Sequence, residues 1–354
     1  MEDIFYTIIL ILKKRLYIKY IFIMCSLLTT CSVNSQDLHF SQFYFAPLQL
    51  NPALTGVFSE DLRFSANYRR QWKSVPVDYL TFSGVIDGKI SVLEFENGFF
   101  SGGLIFNYDV AGDGNLSYTH FGASGSYTQK LSDQQLLTVG ILFGTGQRRI
   151  EMNQLTFGNQ FNGDLFVAGA PTRENLDQTS IFYMDFGAGL NWHLQDKEQR
   201  FGADIGVGVF HLTQPDVSFY DQNKTPLPRR LSFYGNSHFK ISDKIRLELA
   251  GYYQRQNTYT ESVAASGFRY QMTDTRGREL ALRLGLGYRF IGARDALIPS
   301  VAVSYNAWIV GFSYDLNRSD FELATNGQGG PELALQYRIT KVKPLKSSKV
   351  CPIF

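Results

Sequence analysis

The feature that most constrains this chain is a period-two alternation of apolar and polar residues. It is sustained over eight to eleven residues at a time and recurs along most of the sequence. In the clearest run, Leu280, Leu282, Leu284, Leu286, Tyr288 and Phe290 share one face, and Ala281, Arg283, Gly285, Gly287 and Arg289 share the other. A second run sets Phe201, Ala203, Ile205, Val207 and Val209 against Gly202, Asp204, Gly206 and Gly208. A third sets Leu333, Leu335, Tyr337 and Ile339 against Glu332, Ala334, Gln336 and Arg338. Successive strand side chains point to opposite sides, so each run is a ribbon with one greasy and one polar or small face.

Such ribbons have two stable destinations. A soluble sandwich buries the greasy faces between two sheets. A transmembrane barrel turns them to lipid and lines its lumen with the polar faces. Strand length favours the barrel, because membrane strands need about 9–11 residues and soluble strands average about 5–6. The expected fold is all-β: a transmembrane antiparallel β-barrel of about 14 strands. The candidate strands lie near 61–72, 77–88, 98–110, 115–131, 135–149, 180–194, 199–213, 230–242, 244–257, 263–273, 278–291, 296–305, 308–316 and 331–340. Loop lengths agree. Every second connection is short and turn-like, as at Ser132-Asp133-Gln134, Gln195 to Glu198, Ser242-Asp243 and Asn306-Ala307. The three longest, near 150–179, 214–229 and 317–330, fall in the opposite set. In an outer-membrane barrel the short turns face the periplasm and the long loops face outward.

Composition supports this reading. Of the 354 residues 15% are aromatic, with 29 Phe and 20 Tyr, and only 19% are charged. A disordered chain needs fewer aromatics and more net charge. A helical membrane protein needs repeated apolar runs of about 20 residues, and only the extreme N-terminus approaches one.

The ends read differently. Residues 1–35 have the pattern of a signal peptide: Lys13, Lys14, Arg15 and Lys19, an apolar stretch from Tyr20 to Leu28, and a small-residue site at Val33-Asn34-Ser35. A signal anchor and a lipoprotein site at Cys31 are the alternatives. Cleavage before Gln36 leaves 30 basic and 30 acidic residues, so no bulk attraction to nucleic acid is expected. It also leaves Cys351 as the sole cysteine, which excludes an internal disulfide. Residues 36–60 are an aromatic-rich segment expected to plug the lumen or sit in the periplasm, before a barrel over 61–340. Residues 341–354 form a short basic tail with Lys341, Lys343, Lys346 and Lys349 and no acid, expected in the periplasm.

Phe40-Ser41-Gln42-Phe43-Tyr44 leads to Pro47-Leu48, Asn51-Pro52-Ala53 and Gly56. This closely resembles the N-terminal signature of the PorP/SprF family of Bacteroidota. The resemblance continues in Tyr68-Arg69-Arg70-Gln71-Trp72, Tyr79, Thr81, Ser83 and Asp87, and in Asn107-Tyr108-Asp109 with Gly112-Asp113-Gly114. His211-Leu212-Thr213-Gln214-Pro215, Gly311-Phe312-Ser313-Tyr314-Asp315, Gly329-Gly330-Pro331-Glu332 and Cys351-Pro352-Ile353-Phe354 follow in family order. The resemblance implies an outer-membrane barrel that is an accessory of the type IX secretion system. One branch of the family works with secretion and gliding-motility machinery and its periplasmic ring components. The other serves export or surface attachment of a large adhesin, often through that substrate's C-terminal sorting domain.

Single residues carry more modest expectations. In Asn51-Pro52-Ala53, Pro52 fixes its own backbone and holds Asn51 extended, while Gly56 can take a positive φ. With Phe40, Ser41 and Gln42, this motif is read first as a structural plug and second as a partner site. Ser65, Asn67 and Arg69 share an expected lumen face, with Gln71 and Trp72 at the end of that strand and Trp72 in the interfacial belt. Asp204, Arg246, Glu248, Arg283, Arg289, Glu332 and Arg338 place mixed charge in the lumen, which suggests paired networks more than a selective pore. Asp315 and Glu332 are expected to pair with lumen arginines and hold the barrel seam, and Asp109, His211 and Pro215 belong to the barrel motifs.

No enzymatic site is expected. His39, His120, His193, His211 and His238 lack zinc-type spacing, and the chain has neither a Gly-x-Ser-x-Gly elbow nor a P-loop. No cofactor or metal follows. The rival reading is an outer-membrane channel for small solutes, which predicts an open or gated lumen.

Overall fold

We describe residues 37–72, 79–112, 114–174, 176–222, 224–275, 277–291, 295–319 and 322–340 of a computed structural model. The leader and the basic tail inferred from the sequence lie outside the described residues.

Fourteen strands form one closed barrel. They are β1 (Leu62–Gln71), β2 (Tyr79–Phe95), β3 (Gly98–Ala111), β4 (Leu116–Ser132) and β5 (Gln135–Arg149). Next come β6 (Ser180–Gln195), β7 (Phe201–Phe210), β8 (Arg230–Lys240), β9 (Ile245–Gln256) and β10 (Tyr259–Thr273). The last are β11 (Leu280–Ile291), β12 (Ala296–Tyr305), β13 (Trp308–Asn317) and β14 (Gln328–Ile339). Each strand pairs with its sequence neighbours, and β14 returns to pair with β1, with Leu62 opposite Ile339 and Arg69 opposite Glu332. Closure leaves no sheet edge, so every strand has a backbone partner on both sides.

The greasy faces point outward. On β6, Phe182 and Met184 are 75% and 63% exposed, whereas Ile181, Tyr183 and Asp185 are buried. On β5, Val139, Ile141 and Phe143 face outward while Thr138 and Leu142 are buried. β11 exposes Leu284, Leu286 and Phe290 and buries Arg289. This inversion of the soluble pattern is what a lipid solvent requires. No helix among the described residues is long and apolar enough to cross a membrane, and the crossing is made by strands. Aromatic rings gather toward the rims, as in the pairs Trp308–Tyr337 at 4.3 Å and Phe100–Tyr127 at 4.8 Å.

The barrel has a short-turn end and a long-loop end. The turns after β2, β4, β8 and β12 sit at the first; the long connections after β5, β7 and β13 sit at the second. The connection after β5 carries two helical turns, Met152–Gln154 and Gly158–Gln160.

Four boundaries differ from the sequence expectation. β2 runs on to Phe95, past a register shift between Lys89 and Glu94. β10 begins at Tyr259, because Asn257 takes φ +54° and closes a two-residue turn. β7 stops at Phe210, because His211 at φ +57° leaves the extended region. β14 begins at Gln328, ahead of the expected Pro331.

Candidate functional site

The lumen is occupied by the chain's own N-terminal segment. After Leu38 the backbone makes three short helical turns, Phe43–Phe45, Pro47–Leu50 and Pro52–Leu54, before reaching β1. Proline opens the second and third, where its fixed φ suits a first helical position and its missing N–H costs nothing. Asn51 is extended, at φ −162° and ψ 125°, as the residue before a proline prefers. Its Oδ1 accepts from the Ala53 N–H at 2.8 Å, capping the third turn, and its Nδ2 donates to the Leu190 carbonyl at 2.8 Å on β6.

Apolar side chains of the segment pack around the inner wall. Phe43, Leu50 and Leu54 meet Tyr234, Tyr252, Val263 and Ile298. Leu48 meets Val85, Ile105, Leu142 and Phe210, and Phe45 meets Ala302 and Ala334. The inner wall is cut back to receive it. A Cβ on Gly140 would come within 2.5 Å of the Ala53 backbone, and one on Gly208 within 2.7 Å of the Leu50 carbonyl. A Cβ on Gly189 would collide with the Asn51 side chain, and one on Gly311 with Gln42.

Polar contacts lock both ends of the segment. At the front, the Ser41 and Gln42 N–H groups donate to the two oxygens of Glu332 at 2.7 and 2.9 Å. The Ser41 hydroxyl donates to Asp315 Oδ1 at 2.6 Å, and the other Asp315 oxygen accepts from Arg69 and Arg289, each at 2.6 Å. Arg69 also donates to the His39 carbonyl at 2.8 Å. Arg289 reaches Asp295 at 2.5 Å and lies 3.9 Å from Glu261, which accepts from the Tyr252 hydroxyl at 2.9 Å. At the back, Gly56 at φ +70° donates its N–H to Asp87 at 2.8 Å, and Asp87 is gripped by both arms of Arg63 at 2.9 and 2.7 Å. Arg63 donates also to the Leu54 carbonyl at 3.3 Å. The Thr55 and Ser124 hydroxyls are hydrogen-bonded, and Ser126 donates to the Thr55 carbonyl at 2.8 Å. Such bidentate, charge-assisted contacts in a low-dielectric interior hold geometry strongly.

The geometry therefore gathers Phe40, Ser41, Gln42, Arg69, Asp315 and Glu332 at one locus, all buried. It seats Asn51, Pro52, Ala53 and Gly56 at the other end of the same segment, also buried. The remaining motif residues lie apart. Asp109 accepts from Thr81 at 2.6 Å on the wall. His211 and Asp185 pair at 2.7 Å below the long loops, where the Pro215 carbonyl accepts from the Leu227 N–H at 2.8 Å. Arg338 bonds Gln336 at 2.7 Å and Glu60 at 3.4 Å toward the short-turn end. Gln71 and Trp72 sit at the long-loop end of β1. Trp72 takes φ +55° and stands edge-on to Tyr79, with ring centres 5.0 Å apart.

Sequence reasoning missed two groups. Arg63 shares the alternation phase of Ser65, Asn67 and Arg69, so extending that face by one step finds it. The four cradle glycines carry no local signal, because their role exists only opposite a segment far away in the chain. Among the described residues no group of three or more His, Cys, Asp or Glu could hold a metal ion.

The family model described as type IX secretion system membrane protein PorP/SprF matches residues 32–337. None of the curated proteins matches the chain. Among solved structures, a deltaS2 mutant of the monoaromatic hydrocarbon channel TodX is 9% identical, covers 84% of this chain and 94% of its own, and has a TM-score of 0.48. A Pseudomonas aeruginosa FadL homologue is 11% identical, covers 81% and 92%, and has a TM-score of 0.47. Likeness at this level says nothing of what the present chain binds or passes.

Proposed function

The chain belongs to the PorP/SprF family of type IX secretion membrane proteins, and from that premise we propose that it is a non-enzymatic accessory factor that works by holding partners, not by passing solutes. Its coarse role follows from membership and fold: it is an integral outer-membrane barrel of the type IX secretion system.

The partner reading is finer. The observation that carries it is the filled lumen. Residues 40–56 are buried within the barrel apart from the half-buried Tyr44 and Gln49, and are bonded to its wall through Glu332, Asp315 and Asp87. A barrel that seats its own chain in its lumen is suited to a rigid scaffold in the membrane, with contacts made at its rims. The partners we propose are a large secreted adhesin with a C-terminal sorting domain, or periplasmic components of the same machinery that serve secretion and gliding motility. On this reading the short turns and both termini face the periplasm, after removal of a signal peptide. The buried charges Arg63, Arg69, Asp87, Arg289, Asp315 and Glu332 engage one another and the plug segment, which supports a structural use over catalysis.

Gentle detergent extraction from the native outer membrane, pull-down and mass spectrometry test the proposal. Co-recovery of a very large secreted protein points to the adhesin branch, and co-recovery of periplasmic ring components points to the core branch. Recovery of neither, with steady solute conductance in planar bilayers, would overturn the reading in favour of a channel.

A further inference from the structure

At the long-loop end of β8 and β9 stand two arginines that the fold itself does not use. Arg229 precedes β8. Its neighbour Arg230 turns inward and is buried, donating to the Gln49 carbonyl of the plug at 3.1 Å, with its guanidinium 4.2 Å from the Phe210 ring centre. Arg229 takes the opposite phase and is exposed. On β9, Gln254 and Gln256 are buried and Arg255 between them is exposed. Both arginines therefore share the lipid-facing side with Leu231 and Phe233 on β8 and with Leu249 and Tyr253 on β9. Arg255 stands opposite Leu231, which places Arg229 on the adjoining diagonal, about 7–8 Å away between backbones.

The strand sets their height. From Ile245 to Arg255, β9 climbs about 33 Å along its own axis, or about 25 Å along the membrane normal at a tilt of about 40°, which is the height of an outer-membrane apolar band. Phe233, 46% exposed, stands directly opposite Tyr253, 41% exposed, and the two rings mark the upper girdle. Arg229 and Arg255 lie just beyond it, at the level of lipid headgroups. Below the girdle, Gly235, Gly251 and Ala264 align across β8, β9 and β10 and leave a shallow furrow in the outer wall.

The two side chains are held in place but not neutralised. Arg229 Nε donates to the Leu212 carbonyl at 3.4 Å, and Arg255 Nε to the Asn257 carbonyl at 3.3 Å. Among the described residues the terminal nitrogens of both have no hydrogen-bond partner, and neither arginine has a carboxylate within ion-pair distance. The loops beyond the strand ends carry Asp177, Asp216, Asp221 and Lys224. Asp216 accepts from the Ser218 and Thr225 N–H groups at 3.1 and 2.8 Å, and Asp177 from the Asp221 N–H at 2.8 Å. None of the four pairs with Arg229 or Arg255. Thr260, directly opposite Arg255 on β10, adds a hydroxyl at the same level.

We propose that Arg229, Arg255 and Thr260 form a seat for the phosphate of an outer-leaflet lipid, whose acyl chains lie down the furrow and the greasy columns of β8 and β9. Planar guanidiniums match phosphate oxygens in bidentate geometry. Anionic headgroups are drawn to basic side chains at a membrane surface. The apolar wall beneath separates a lipid phosphate from a free one, because headgroup and chains are bound together. The proposal rests on the outer-membrane reading with the long loops facing outward, and it does not depend on which secretion partner the barrel serves.

The test uses the full-length protein in detergent and diphosphoryl lipid A as the probe, with bound lipid counted by native mass spectrometry. The Arg229→Gln/Arg255→Gln double variant is expected to bind about tenfold more weakly than the wild type. Lipid A stripped of its phosphates should bind the wild type as weakly as intact lipid A binds the variant. Arg278→Gln, at the short-turn rim, should leave binding unchanged. Both side chains are exposed, so the double variant should keep its thermal unfolding temperature in lipid-free detergent. Equal binding by wild type and double variant, or equal binding with and without the phosphates, would overturn the proposal. So would an equal loss in Arg278→Gln, which would reduce the effect to overall charge, or a fall in unfolding temperature, which would make the arginines structural. Displacement of lipid A by inorganic phosphate at comparable concentrations would overturn it in favour of a free-anion site. Binding in detergent is indifferent to which way the barrel faces, so failure there counts against the seat alone. Protease access to loop 150–179 on intact cells tests the orientation separately, and protection of that loop would overturn the outer-leaflet assignment.

Discussion

Arg69 and Asp315 meet at 2.6 Å across an intervening strand, each only 1% exposed at its side chain. Arg69 lies on β1 and Asp315 on β13, with β14 hydrogen-bonded between them. The pair therefore staples the seam where the first and last strands close the barrel. Asp315 accepts from Arg289 and Ser41 as well, so the same carboxylate ties the seam to the plug.

Asp315→Asn should be among the most damaging single changes. It leaves Arg69 and Arg289 buried against a neutral amide, and removing one partner of a buried ion pair costs about 3–5 kcal/mol. Thermal unfolding in detergent, or the temperature at which the folded form is lost on a semi-native gel, should show a clear fall. Arg149→Gln is the comparison: its contact with Glu151 is exposed, at 3.9 Å, and its loss should change little.

The glycine cradle predicts how the lumen can be opened. Gly189→Val places a side chain where Asn51 sits and should drive the plug from its seat. Planar-bilayer conductance should rise well above that of the wild type. Gly125→Ala, whose Cβ meets nothing within 4 Å, should leave conductance unchanged.

The outward greasy face can be tested by charge. Ile141, 65% exposed in mid-strand, faces lipid. Ile141→Arg should cost about 2–4 kcal/mol if it lies near the bilayer midplane. Folding yield into phospholipid vesicles measures this; an unaltered yield would mean that β5 does not face hydrocarbon.

Glu60 supplies a pH dependence outside the spanning strands. Burial pushes its carboxyl up, but Arg338, the backbone and Ser59 outweigh that and hold it below its ordinary 4.5. A depressed carboxylate contributes stability above its unfolded value and loses it as pH falls through the folded value. The wild type should therefore exceed Glu60→Gln in melting temperature at neutral pH, by a margin that shrinks below about pH 4.5. The pair is partly exposed, so the margin should be small and reduced by salt.

The alternation determined a great deal by itself. Strand count, the outward faces of β7, β11 and β14, the inward faces of Asn67 and Arg69, and the segregation of short turns from long loops all follow from a backbone whose side chains alternate every residue. Those are local properties, and a local pattern is enough to state them. The boundaries that escaped, at Asn257 and His211, turn on a single residue entering the left-handed region, which alternation does not register.

Only the tertiary structure decided which polar groups meet. Ser41 finds Asp315 and Gln42 finds Glu332 across separations of 274 and 290 residues. Gly189 and Gly208 matter only because Asn51 and Leu50 arrive against them. Such partnerships depend on how fourteen strands stagger as they close and on where the entering segment crosses the lumen. Burial then forces charges such as Arg63, Arg69 and Arg289 to find carboxylate partners, which they do at Asp87 and Asp315.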